Sequence, residues 1–158
     1  MAGSDPVLYI ARTRAYYEAQ GFERPYRYPH HDHAPFAPLP KALAECTVGL
    51  VTTASVYSRA PLEPRRVVSA DMAPLPARLY TADLSWDKEA THTDDLGSYC
   101  PIAALRTLVG GSMIGGLTPR FHCAPTEYSQ RTTIEQDAPE ILGRLRDDGA
   151  DVALLVPL

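Results

Sequence analysis

The chain has no long apolar run, no paired-cysteine motif and no excess of positive charge, and each lack removes a class of function. No stretch of its 158 residues approaches the roughly 20 apolar residues that cross a bilayer, so a membrane is not expected among its partners. The N-terminus lacks a basic start followed by an apolar core, so no secretory signal is evident and a cytoplasmic protein is expected. The three cysteines, Cys46, Cys100 and Cys123, are odd in number and widely spaced, without a CxxC, so neither a zinc ribbon nor a thioredoxin-type pair is present. Reduced thiols buried as small hydrophobes are the plain reading. A net charge of −4 argues against a broad phosphate-binding surface, and nucleic acid is not expected as a partner. No G-x-S-x-G nucleophile elbow occurs. Residues 110–116 are Gly-rich, but they end a helix, whereas phosphate cradles need a helix N-terminus.

What is present is an ordinary globular composition, 45% apolar and 22% charged, in a chain long enough to bury one real core. Prolines cluster at 25–40 and 61–76 and mark ordered loops. Residues 6–20 predict a helix, capped by Ser4 or Asp5 and stopped by Gly21, with Tyr9, Ile10, Thr13, Tyr16 and Tyr17 on roughly one docking face. A Pro-rich arm follows over 22–44. Residues 46–54 are apolar and β-branched and predict the best strand, turning polar at Thr52 and Thr53 as the mouth of a parallel strand does. Short strands are expected at 67–68, 78–82 and 117–123, and helices at 101–110, with Ile102, Leu105, Leu108 and Val109 at helical spacing, and at 133–148, with acidic residues early, Arg144 and Arg146 late to match the helix dipole, and Gly149 to end it. Residues 151–157 read as a buried parallel strand. This order predicts an α/β fold: a three-layer, mostly parallel sheet flanked by helices, with an N-terminal helix and Pro-rich arm over 1–44 and the α/β domain over 45–158.

Three groups of side chains can carry chemistry. His30, His31, Asp32 and His33 are the densest ligand-type cluster; the alternative is a surface or interface loop. Asp83, Asp87, His92, Asp94 and Asp95 fall in one polar stretch, where a His beside carboxylates can move protons; the alternative is a solvated acidic loop. Arg120, His122 and Cys123 follow a strand-like stretch. Arg120 can clamp a carboxylate, and His122 can tune a thiol. Adjacent strand residues face opposite ways, which weakens a direct His122–Cys123 pair, and a satisfied His beside a buried Cys is the competing reading.

Sequence pieces from one end to the other resemble a known family. They include Tyr9 to Tyr17 (YIARTRAYY), Pro25 to Tyr28 (PYRY), Pro35 to Lys41 (PFAPLPK) and Val48 to Ala54 (VGLVTTA). They continue with His92 to Gly97 (HTDDLG), Pro101 to Leu105 (PIAAL), Ile114-Gly115, Pro119 to His122 (PRFH), Ala138 to Leu142 (APEIL) and Asp148 to Asp151 (DGAD). In this order the chain resembles the glycine/sarcosine/betaine reductase selenoprotein B and D-proline reductase family, in particular its short bacterial members. The resemblance implies reductive cleavage of a carbon–nitrogen bond in a small amino-acid-like substrate by a selenol or thiol. In that family the strand matching 150–157 leads into a loop with the redox-active selenocysteine or cysteine, which this sequence does not contain. The resemblance therefore implies a nucleophile beyond Leu158 or on another chain, with a homo-oligomer or a second chain supplying the missing C-terminal half.

By resemblance, His92, His122 and Asp95 would serve catalysis, with Cys123 as a stand-in nucleophile, and Thr52, Thr53, Asp94 and Arg120 would hold substrate. No cofactor is expected within the chain; an external dithiol or thioredoxin-like reductant would supply electrons. Two rival readings remain. One is a noncatalytic ligand-binding subunit. The other is a metal-dependent enzyme using His31 and His33 with His92 or His122.

Overall fold

The computed structural model describes residues 8–24, 27–34, 37–57, 66–81, 89, 92–126 and 129–158. The chain divides into two compact units, Met1–Phe36 and Ala37–Leu158. In the first, helix α1 (Tyr9–Ala19) buries none of its residues. Within this unit Tyr9 is 74% exposed, and the ring contacts are local, Tyr16 on Tyr17 and Tyr17 on Phe22. Gly21 ends the helix at a positive φ of 86°.

The second unit is built on β1 (Thr47–Thr52). Its β-branched, apolar sequence suits a strand covered on both faces, and all but Thr47 are buried. Residues 116–123 form two short strands rather than one, β3 (Gly116–Leu117) and β4 (Arg120–Cys123), both parallel to β1. The final strand, β5 (Val152–Val156), runs parallel to β1 on its other side, pairing residue for residue from Val48↔Val152 to Thr52↔Val156. β2 (Val68–Asp71) is antiparallel to β4 and lies at the far edge. The expected strand at 78–82 reduces to one reciprocal bridge, Tyr80 with Ser55. The fold is thus α/β with a five-stranded, mostly parallel sheet.

Side chains alternate across β1. Val48 and Leu50 join one core with Phe121 and Cys123 of β4 and with Ile102 and Leu105 of helix α2 (Ile102–Gly110). Burying Phe121 or Ile102, both fully inaccessible, contributes about 1.5–3 kcal/mol of transfer free energy each. A Cβ added at Gly49 would sit 2.3 Å from Cδ2 of Leu145, which belongs to the last helix. That helical stretch comprises α3 (Gln130–Thr132), a π-helical segment (Thr133–Asp137) and α4 (Ala138–Asp147). Gly149, at φ 77°, turns the chain out of it, as expected.

β5 is not the buried strand that its composition predicts. Leu155 is 69% exposed, because among the described residues only β1 pairs with β5. Segment 37–44 lies in the sheet unit rather than with the arm. Lys41 Nζ is 2.8 Å from Asp151 Oδ2, and the same carboxylate accepts from Thr47 N at 2.8 Å, fastening this segment to the starts of β1 and β5. No described helix is long and apolar enough to cross a membrane.

Candidate functional site

The antiparallel register of β2 on β4 places Ser69 opposite His122 and Asp71 opposite Arg120. His122 is fully buried, and its Nδ1 is 2.8 Å from Ser69 Oγ. Arg144 of α4 donates to Ser69 Oγ from Nη1 at 2.6 Å. A guanidinium can only donate, which leaves the Ser69 hydroxyl proton free for Nδ1; we assign it there and the imidazole proton to Nε2, the nitrogen that faces the Asp148 carboxylate. Nε2 has no hydrogen-bond partner; Asp148 Oδ2 lies 3.6 Å away, within electrostatic reach but too far for a hydrogen bond. Asp148 is gripped by Arg120, which donates from Nε at 3.1 Å to each oxygen and from Nη2 at 2.7 Å. Arg144 also reaches Glu140 one turn back. The result is a continuous polar line, Arg144–Ser69–His122–Asp148–Arg120, between two strands and the end of one helix.

Burial pushes the His122 pKa below its ordinary 6.5, and Arg120 and Arg144 push the same way against Asp148. His122 is therefore neutral at pH 7. Arg120 is raised by its hydrogen bonds to Asp148. Its guanidinium already holds an internal carboxylate, so a substrate carboxylate would have to displace Asp148.

A second set gathers at the carboxyl ends of the parallel strands, where Thr52, Cys123 and Val156 lie in register across β4, β1 and β5. Thr52 is buried, and its Oγ1 accepts from Ala54 N at 3.3 Å. Thr53 Oγ1 accepts from Leu158 N at 2.9 Å. Cys123 lies in the core, with burial pushing its thiol up to about 12. Cys100 is likewise pushed up to about 11, and Cys46 is buried. A thiol at those values is not a nucleophile at neutral pH.

Among the described residues, the acidic loop shares no hydrogen bond with either set. His92 is 74% exposed and pairs only loosely with Asp94, at 3.7 Å. Asp95 caps the 3₁₀ turn Leu96–Ser98, its Oδ1 accepting from Gly97 N at 2.9 Å. The loop is tied down by Tyr99, whose hydroxyl donates to Thr93 O at 2.9 Å, and by Thr81 Oγ1, 3.1 Å from Thr93 Oγ1. Asp83 and Asp87 lie outside the described residues. His30 and Asp32 form an exposed pair at 3.2 Å. Among the described residues no three His, Cys, Asp or Glu side chains gather closely enough to hold a metal ion.

Of the residues expected from sequence, the structure unites Arg120 and His122 through Asp148, and sets Thr52 beside Cys123. Sequence reasoning missed Ser69, Arg144 and Asp148 as partners. Arg144 carried only a helix-dipole signal, and Ser69 carried none. No protein-family model, curated protein or solved structure matches the chain.

Proposed function

We propose that this chain is the substrate-holding part of a selenol- or thiol-dependent reductase of the selenoprotein B and D-proline reductase type, acting on a small amino-acid-like molecule. The observation that carries the reading is the alignment of three parallel strand ends at Thr52, Cys123 and Val156, since the crevice outside such ends is where open α/β sheets bind ligands. The sequence resemblance supports it independently. We read the architecture as three-layered, because α2 packs on the Val48–Leu50 face of the sheet and Leu145 of α4 meets Gly49 on the other.

The chemistry asks for a low-pKa selenolate or thiolate. It attacks the carbon bearing nitrogen, and the carbon–nitrogen bond breaks with nitrogen leaving as an amine. A second thiol then attacks sulfur or selenium, releasing the carbon as C–H and leaving a disulfide or selenenyl sulfide. A dithiol or thioredoxin-like reductant restores the nucleophile. The three cysteines of this chain are buried, so the nucleophile comes from residues outside this sequence, beyond Leu158 or on a different chain. Thr53 and the exposed His92–Asp94–Asp95 loop would face the substrate in a cytoplasmic assembly closed along β5. Titration calorimetry with glycine, sarcosine, betaine and D-proline tests this. Binding of one of them, weakened by Thr53→Val, is the expected result; no heat with any of the four would sink the reading.

The burial of all three thiols favours a second reading, a binding subunit without redox chemistry. It predicts the same binding and no turnover when a dithiol reductant and a nucleophile-bearing partner are added.

A further inference from the structure

The line Arg144–Ser69–His122–Asp148 has the composition and contacts of a nucleophile, a base and a charge partner. It does not depend on the reductase reading, because it uses no thiol. Ser69 is only partly buried, so solvent reaches the residue that sits over the fully buried His122. Its strand, β2, is paired only with β4 among the described residues. The Ser69 hydroxyl is 2.8 Å from the imidazole nitrogen that is free to accept its proton, and the other ring nitrogen looks toward a carboxylate at 3.6 Å. The groups facing the imidazole are Ser69 on β2, Arg120 on its own strand, and Arg144 and Asp148 at the end of the last helix.

We propose that Ser69 is an activated serine nucleophile, with His122 as its general base and Asp148 as a positioning residue, that takes the acyl group of small, activated carboxylic esters. Ser69 Oγ bonds to the acyl carbon as its proton passes to His122 Nδ1. The tetrahedral adduct collapses, the bond to the leaving oxygen breaks, and that oxygen takes the proton from Nδ1. Water repeats the two steps on the acyl-serine and releases the acid, so no electrons are gained or lost. Asp148 opposes the positive charge that forms transiently on the ring, and Arg120 fixes Asp148 from the far side. Arg144, already donating to Ser69 Oγ, lowers the cost of negative charge at the reacting oxygen.

Why a buried line rather than a structural strut? A strut would be satisfied at every atom. Here His122 Nε2 is left without a hydrogen bond in a fully buried ring, the one buried atom of the line so left, and it faces the carboxylate that would steady an imidazolium.

The test uses the whole chain and a fluorophosphonate probe, read by intact mass and peptide mapping. One adduct per chain is expected on Ser69, with fluoride released, and Ser69→Ala removes it. His122→Gln slows labelling by about a hundredfold or more, the contribution of a positioned base. Asp148→Asn shifts the pH midpoint of labelling, an effect that loss of packing alone would not produce. Should His122→Gln fail to fold, the wild-type comparison decides: the native chain must label faster than the urea-unfolded chain. Labelling at other serines, equal rates before and after unfolding, or a folded His122→Gln variant reacting at the wild-type rate would each overturn the proposal.

Discussion

His122 keeps its place by staying neutral. Burial and the two guanidiniums of Arg120 and Arg144 disfavour its proton, and Asp148 only partly offsets them. Its folded pKa lies below the unfolded value of 6.5, so below that pH the unfolded chain binds more protons than the folded one. Stability from this group is complete above about pH 6.5 and is lost as pH falls toward the folded pKa. Denaturant unfolding at pH 7.5, 6.5 and 5.5 is expected to show the decline, and His122→Gln is expected to remove that part of it; an unchanged slope in the variant would place the acid sensitivity elsewhere. Two glycines define residue-scale limits of a different kind. At Gly115 an added Cβ would lie 2.5 Å from the carbonyl carbon of Glu45, which is backbone and cannot step aside. At Gly49 the nearest atom is the tip of the Leu145 side chain, which can rotate. Gly49→Ala is expected to cost about 1–3 kcal/mol, the range for overpacked cores, and Gly115→Ala more. Urea midpoints of the two variants check the order.

At the scale of elements, the last helical stretch does the most positioning. It lays Leu145 against Gly49 and brings Arg144 and Asp148 to the buried imidazole. It starts at Ser129, whose Oγ accepts from Thr132 N at 3.2 Å. Ser129→Ala is expected to lower stability by about 1 kcal/mol, the usual cost of a lost N-cap, measured as a shifted thermal midpoint with the helical circular dichroism unchanged at low temperature. The elements differ in how far they could be read from sequence, for physical reasons. β1 was legible because a run of β-branched residues bounded by polar ones has few other solutions. α2 and α4 were legible from helical spacing, from the glycines that end them and, in α4, from its charge order. β2 was not, since Val-Ser-Ala-Asp is too short and polar to show a period, and its strand character comes from pairing with β4. β5 was legible as a strand but not as an edge, because exposure depends on what pairs with it. The same division holds for the polar line. Arg120 and His122 stand out as chemistry-bearing residues beside a strand, whereas Ser69 becomes their partner only through register, and Asp148 only through packing.

At the scale of the whole molecule, what matters for any redox role is that the chain withdraws all three of its thiols from solvent. Cys123 sits in the core against the parallel strands, and its thiol is pushed up to about 12 by burial. At pH 8 about one Cys123 in ten thousand would then be thiolate, and about one Cys100 in a thousand at its raised value of about 11. An aromatic disulfide reagent at pH 8 is therefore expected to find no fast-reacting thiol in the native chain and three equivalents once guanidinium unfolds it. That outcome would mean that any selenol or thiol chemistry at the strand mouths must come from a nucleophile that this sequence does not contain. One rapid equivalent in the native chain, abolished by Cys123→Ser, would reverse the argument. It would show that the core opens at the end of β4 to present a thiolate, and would return the redox step to this chain.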